Sequence, residues 1–299
     1  MFIPATDEKL GFSGHETFPF RYGWLPKAVM GAETPHYFSQ PLALVGLGVG
    51  KNMVQSIRHW GIATRLLEDE GRGEVKPSLL GEQLYKEWDP YLEDIGSLWL
   101  VHWLLVNNSA KAAAWHFAFF GYPRREFTKA ELTHHLADWA ERSGAKNKTS
   151  TLERDIDCFI RTYLPSRVSK SGVAEDSFDC PLVELGLLQQ YEDSERYGFV
   201  VGHKRTLPAH IFGYALIDFL EQVRGERQTV PLHDALFAHG SPGQAFKLNE
   251  NSLIENIEAV QHITRGAIDL DDTAGLKQIY LRSAFDKNEM LKKFYGGQA

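Results

Sequence analysis

The sequence predicts a mainly α-helical protein with small β-hairpin wings, built from several helix-turn-helix or winged-helix-like units. Three observations carry this. A short apolar run over residues 42–47, a hinge containing Gly46, Gly48 and Gly50, and an amphipathic segment starting at Lys51 have the form of a helix-turn-helix. A second pair of helical patterns spans 129–164 across a polar turn. Turn-centred stretches at 68–77 and 271–275 fit the tips of wings. With 299 residues, 43% hydrophobic content and seven tryptophans, the chain can fill two or three cores. The predicted regions are 1–95 (an N-terminal segment and the first winged-helix-like unit), 96–204 (a helical core with the second) and 205–299 (a C-terminal helical domain with a possible wing).

Residues 1–36 are rich in Gly, Pro and aromatics, with room only for short elements. The helix from Lys51 is expected to reach about residue 67. It would carry Lys51, Asn52, Gln55, Arg58 and His59 on an outward face, while Met53, Val54, Ile57 and Trp60 pack. After the glycine turn at 71–73, Ser78 is placed to cap a short helix ending near Trp88. From Leu98 to Phe120, Trp99, Trp103, Leu104, Trp115, Phe117, Phe119 and Phe120 form an aromatic helical core. Thr128 with Glu131 is a capping box opening a helix through Arg142. Thr149-Ser150-Thr151 is expected to cap the next helix, whose apolar stripe is Leu152, Ile156, Phe159, Ile160 and Tyr163, and which Pro165 stops. Residues 166–177 read as a linker, 183–191 as a short helix and 197–201 as a strand. A helix over 208–224, a helix capped by Asn251-Ser252, a hairpin around 271–275 and a terminal helix from Asp286 complete the chain.

The formal charge of −7 argues against a surface that grips nucleic acid everywhere. The charge is uneven, however. Residues 68–94 are acidic, whereas 142–170 hold seven basic residues against three acidic ones. Lys146, Lys148, Thr151 and Arg154 surround the start of the second unit's second helix, where phosphate oxygens are well received. Both basic helix faces could equally be solvated surface. No run of 18 uncharged apolar residues and no signal-peptide pattern is present, so the expectation is a cytoplasmic protein without a membrane span.

Other chemistries lack their motifs. Gly50-Lys51 is followed by Asn52, and Val45 stands where a phosphate loop needs its first glycine, so no nucleotide cofactor is indicated. Cys158 and Cys180 make neither a disulfide scaffold nor a thiolate zinc site. The pairs His134-His135 and His233/His239 lack H-E-x-x-H spacing. What remains is His15-Glu16 with Arg21, and the carboxylates Glu153, Asp155 and Asp157. His15, Glu16 and Arg21 could bind a metal and neutralise a phosphate, or pin the N-terminal segment down by buried hydrogen bonds. Adjacent residues on an extended chain point to opposite faces, which weakens a two-ligand arrangement. Acidic residues early in a helix also have a plain electrostatic role.

Four stretches, 14–25 (GHETFPFRYGWL), 48–54 (GVGKNMV), 97–103 (SLWLVHW) and 242–248 (PGQAFKL), together resemble a bacterial family catalogued as a domain of unknown function and associated with DNA phosphorothioation, the SspB-like family. The resemblance spans nearly the whole chain. It implies duplex DNA binding and single-strand nicking in a modification and antiphage defence system, beside a cysteine desulfurase, an ATPase and a sulfurtransferase-like enzyme. No nuclease motif of the P-D…(D/E)-x-K kind is present to locate a catalytic centre. For hydrolytic nicking, Glu16, Asp155 and Asp157 are the candidate ligands of Mg2+ or Mn2+, with His15 and Arg21 beside them. Two other readings are a non-catalytic DNA-binding adaptor that recruits modification enzymes and a protein-binding scaffold.

Overall fold

The computed structural model describes residues 9–165, 179–192, 194–225, 227–273 and 276–297. It is mostly helical with small antiparallel sheets, and it divides into two compact units, Met1–Phe199 and Val200–Ala299. The predicted linker at 166–177 and the turn at 274–275 lie outside the described residues.

The first unit opens with an irregular loop and α1 (Trp24–Ala32), which the composition of 1–36 had hidden. Then come α2 (Leu42–Leu47), α3 (Lys51–Ala63) and the hairpin β1 (Leu67–Gly71) with β2 (Glu74–Pro77). Gly48 ends α2 in the left-handed region, at φ 66°, and its N–H reaches back to Leu44 and Val45. Glycine adopts that conformation without a Cβ penalty, so the predicted hinge is real. Helix α3 stops at Ala63 rather than near 67, because Leu67 is already paired with Pro77 across the hairpin. Asn108 then accommodates the end of α3 by donating to the carbonyls of Ile62 and Ala63 at 3.2 and 3.0 Å.

Ser78 caps α4 (Leu79–Gln83) by accepting from Gly81 N–H, and a π-helical turn continues to Trp88. The aromatic core is carried by α5 (Ile95–Val106), buried on nearly every side, and α6 (Ala113–His116) with a π-turn to Gly121. Strand β3 (Glu126–Thr128) leads into α7 (Lys129–Arg142), which has the predicted capping box between Thr128 and Glu131. Helix α8 (Thr149–Tyr163) follows. Its N-cap is Lys148, which makes no side-chain cap, so Thr149-Ser150-Thr151 sit inside the first turn rather than before it. The predicted helix at 183–191 is a 3-10 turn over Pro181–Leu185 followed by β4 (Leu188–Gln190); β5 (Arg196–Phe199) closes the sheet in the order β3-β5-β4.

The second unit repeats this plan. Helix α9 (Ala209–Val223) and β6 (Thr229–Pro231) precede α10 (Leu232–Phe237), α11 (Pro242–Ala245) and α12 (Glu250–Ile263). The hairpin β7 (Ile268–Thr273) with β8 (Leu276–Leu281) gives the order β6-β8-β7. In both units the strand before the helices pairs with the last strand of the hairpin. Asn249, not Asn251-Ser252, caps α12, and Asp286 caps the terminal α13 (Lys287–Gly296).

Candidate nucleic-acid interface

The basic residues predicted from sequence fall into two groups. On α3, Lys51, Asn52 and Gln55 are exposed, whereas Val54, Ile57 and Trp60 are buried, as the amphipathic pattern requires. Around the start of α8, Lys146, Lys148 and Arg154 are exposed and Thr151 is half-buried. Lys146, Asn147 and Lys148 rim a shallow cleft floored by Ala137, Ala140 and Leu152. Among the described residues, Lys51, Lys146, Lys148 and Arg154 have no ion-pair partner, while Lys76 and Lys86 each bridge two carboxylates. Neither α3 nor α8 has a side-chain cap or an acidic residue in its first turn, so their N-terminal N–H groups and dipole are not offset by a local anion.

Two predicted contacts behave differently. Arg58 is half-buried, with its guanidinium 3.7 Å from Asp69 of the hairpin. His59 is turned inward beneath Gly14, with its Nε2 enclosed. Burial, reinforced by the positive fields of His15, Lys111 and Arg58, lowers its pKa to about 3, so it is neutral at pH 7 and offers no charge to a phosphate. The sequence placed it on the outer face because α3 meets the N-terminal loop on this flank, a contact that helical periodicity does not contain.

That loop joins the remaining candidates. His15 Nε2 lies 2.9 Å from Asp155 Oδ1, and both side chains are buried. Ser13 N–H donates to the two Asp155 oxygens at 3.1 and 3.0 Å, and Thr17 N–H donates to His15 Nδ1 at 3.1 Å. Since Nδ1 accepts, the imidazole proton sits on Nε2 and points at Asp155. The ring stacks on Trp60 and meets Trp115 edge-on, with centroids 6.1 and 5.5 Å away. On the α3 side, Ser56 Oγ donates to His15 O and Trp60 Nε1 to Phe18 O, at 2.9 and 2.8 Å. On the α8 side, Arg161 donates to Thr17 O. Ser13, Gly14, Glu16 and Thr17 all have positive φ, at 65°, 92°, 47° and 68°. Such a run persists only where its surroundings fix it.

His15 and Asp155 therefore meet, as neighbours in a latch. Asp157 points elsewhere, to Lys129 Nζ at 2.5 Å, and Glu16 is exposed on the loop. Arg21 lies over the Trp24 ring, 5.6 Å from its centroid. Among the described residues no three His, Cys, Asp or Glu side chains gather as a metal site. The expectation that Glu16, Asp155 and Asp157 act as one Mg2+ or Mn2+ ligand set does not fit this arrangement. Residues two apart on a helix project to different sides, and the Asp155 oxygens are already taken by N–H donors. From sequence alone, no role at this site fell to Ser13, to Trp115, which was read only as core, or to Arg161. Only Arg161 had a signal, being seven residues after Arg154 and so on the same helical face.

Burial also raises the Cys158 thiol well above its usual range, in keeping with a packed rather than nucleophilic cysteine. No described helix is long and apolar enough to cross a membrane.

No curated protein sequence matches the chain. Two crystal structures of SspB, one of them magnesium ion-bound, match its fold with TM-scores of 0.87 and 0.85. In each, the identity is 32%, and the alignment covers 96% of this chain and 88% of the other. A family model described as a protein of unknown function, DUF4007, matches residues 12–295, and the chain belongs to this SspB-like DUF4007 family.

Proposed function

We propose that this protein is the DNA-binding component of a bacterial DNA phosphorothioation and defence system, acting in the cytoplasm to nick one strand of duplex DNA so that partner enzymes can insert sulfur. The observation that carries this reading is the SspB likeness, which extends over nearly the whole chain rather than over one module. The plan of residues 113–199 and 209–281, a helix and a strand followed by two helices in the first and three in the second and then a hairpin, is read as two winged-helix units, and α1 to β2 as a reduced third. In such units the second helix of the pair meets DNA, which here selects α3 and α8, the helices whose starts bear unpaired lysines. The proposed partners remain a cysteine desulfurase, an ATPase and a sulfurtransferase-like enzyme.

A Mg2+ or Mn2+ ion, where bound, would activate water and stabilise charge on the phosphorus. Because Glu16, Asp155 and Asp157 do not form one ligand set, no hydrolytic step is assigned to them together. One observation favours the adaptor reading: the polar atoms of His15 and Asp155 are occupied in holding the loop.

A supercoiled-plasmid assay with Mg2+, Mn2+ or chelator, on wild type, Glu16→Ala, Asp155→Asn and Asp157→Ala, separates the readings. Metal-dependent open circles from the wild type support nicking. A preparation that binds duplex in a salt-dependent manner but leaves the plasmid closed supports the adaptor. Absence of duplex binding leaves the protein-binding scaffold.

A further inference from the structure

Helices α3 and α8 are distant in sequence, yet the Ser13–Phe18 stretch is hydrogen-bonded to both within the first unit. Its backbone carbonyls at His15 and Phe18 take donors from Ser56 and Trp60 of α3. On α8, Asp155 receives the Ser13 and His15 donors, and Arg161 reaches Thr17 O. The buried part of the loop is His15; Ser13, Gly14, Glu16 and Thr17 are exposed. Of these exposed residues, Gly14 sits against α3 and Thr17 against α8. Gly14 covers the His59 ring, on the edge of α3 that leads to Asn52, seven residues earlier on the same face. Thr17 adjoins Arg161, and Arg154 lies two turns before it on the same edge of α8.

We propose that α3, the 13–17 loop and α8 form one continuous DNA-backbone-binding face, with Arg161 as an additional phosphate contact and His15 as the positioning residue that fixes the spacing of the two helices. The inference rests on the DNA-binding reading above. Arg161 is exposed, and a guanidinium that donates to the carbonyls of Thr17 and, at 3.4 Å, Asp157 keeps further N–H donors for a phosphate oxygen. His15 touches no DNA in this arrangement. It acts because a small ring, donating at one edge and accepting at the other, is locked between Asp155 and Thr17 N–H. The loop that presents both groups has four positive φ values in five residues, a conformation that persists only where its surroundings fix it. With the spacing fixed, phosphates held at α3 and at α8 belong to one binding event, and the second contact follows the first at high effective concentration.

The test uses the full chain and a duplex of about one to two helical turns, titrated by fluorescence anisotropy at several salt concentrations. Variants are Arg161→Ala, Lys51→Ala with Asn52→Ala, and His15→Gln, the last retaining a polar side chain in case His15→Ala fails to fold. Arg161→Ala is expected to lower the slope of log K against log salt by about 0.9, the signature of one lost phosphate contact. In wild type, the α3 and α8 substitutions are expected to be non-additive; in His15→Gln that coupling is expected to vanish. Hydrogen exchange on the free protein adds a readout that local damage to one helix would not reproduce: His15→Gln should speed exchange in both α3 and α8. A wild type that does not bind duplex overturns the DNA-binding reading and this face with it. A wild type that binds, with an unchanged slope for Arg161→Ala and unchanged coupling in His15→Gln, overturns this inference alone.

Discussion

At the scale of single residues, His15 shows how one ring can carry a structural assignment. Sequence brought His15, Glu16 and Asp155 forward as chemistry, and the alternation rule already warned that His15 and Glu16 diverge. The structure turns His15 into the latch and leaves Glu16 exposed. The partner, 140 residues away, was visible as a residue but not as a contact, since no local pattern records a long-range hydrogen bond. Asp155→Asn keeps the shape but puts an amide NH2 where one oxygen stood, so a donor is set against the Ser13 N–H or, in the other orientation, against the His15 proton as well. A loss of about 1–3 kcal/mol in unfolding free energy is expected, measured by urea denaturation at pH 7. His59 makes a separate claim. Its folded pKa, about 3, is below the unfolded value of 6.5. The unfolded chain therefore takes up a proton as pH falls through 6.5 while the folded one does not, and the stability present above pH 6.5 is lost toward pH 3. This group alone steepens the decline by up to about 1.4 kcal/mol per pH unit. His116, lowered to about 4 by burial, acts in the same direction. Urea midpoints between pH 7 and 5 should fall less steeply in His59→Asn; an equal decline would show that His59 is protonated in the folded state.

At the scale of elements, legibility followed locality. The Gly48 hinge, the Thr128–Glu131 capping box, the Ser78 cap, the start of the terminal helix at Asp286 and the hairpins near 68–77 and 271–275 each depend on a few adjacent residues, and each was readable. The missed pieces include α1, whose start at Gly23 has no capping side chain, the short helices α10 and α11, and the three-residue strands β3, β4 and β6, which exist because distant partners pair with them. The start of α8 was misread for an instructive reason. Three good capping residues stand in its first turn, yet the polar 143–148 turn sets the helix entry at Lys148, leaving N–H groups available to an outside anion. Each lysine there that meets a phosphate adds about 0.9 to the salt slope. Lys146→Ala with Lys148→Ala should therefore reduce the slope by nearly two and leave the urea midpoint unchanged, since neither side chain is paired. An intact slope would remove the α8 start from the DNA face. The loop element has its own test. A Cβ on Gly14 would stand 2.6 Å from His59 Nδ1 at a φ of 92°. Gly14→Ala should cost about 1–3 kcal/mol through strain and clash together, read from thermal or urea unfolding.

For the whole molecule, the two units share a plan but differ in charge where the plan would put DNA. Helix α8 opens among Lys146, Lys148 and Arg154; its counterpart α12 opens with Glu250 and exposes Glu255 and Glu258, while β7 adds Asp269, Asp271 and Asp272. Of these acids, Glu250 is paired with Lys277, Glu255 with His203 and Asp269 with Arg282. A duplex carries about one negative charge per 1.7 Å, so an acidic helix face is repelled from it at contact range. Beyond roughly 8 Å, physiological salt screens most of that repulsion. The overall charge of −7 is thus compatible with a basic face on α3 and α8, provided that the acidic α12 stays out of the DNA footprint. Under the proposed DNA-binding reading, DNA belongs on the first unit's helices and the second unit's helix-and-hairpin face is left for other contacts. Neutralising Glu255 and Glu258 together to Gln in the full chain separates the two possibilities. If α12 lies away from DNA, duplex affinity at about 0.15 M salt should change by less than about twofold and the salt slope not at all, because the removed charges are screened. If α12 faces the phosphates, removing two close repulsions should tighten binding more than tenfold, and the assignment of DNA to the first unit would have to be abandoned.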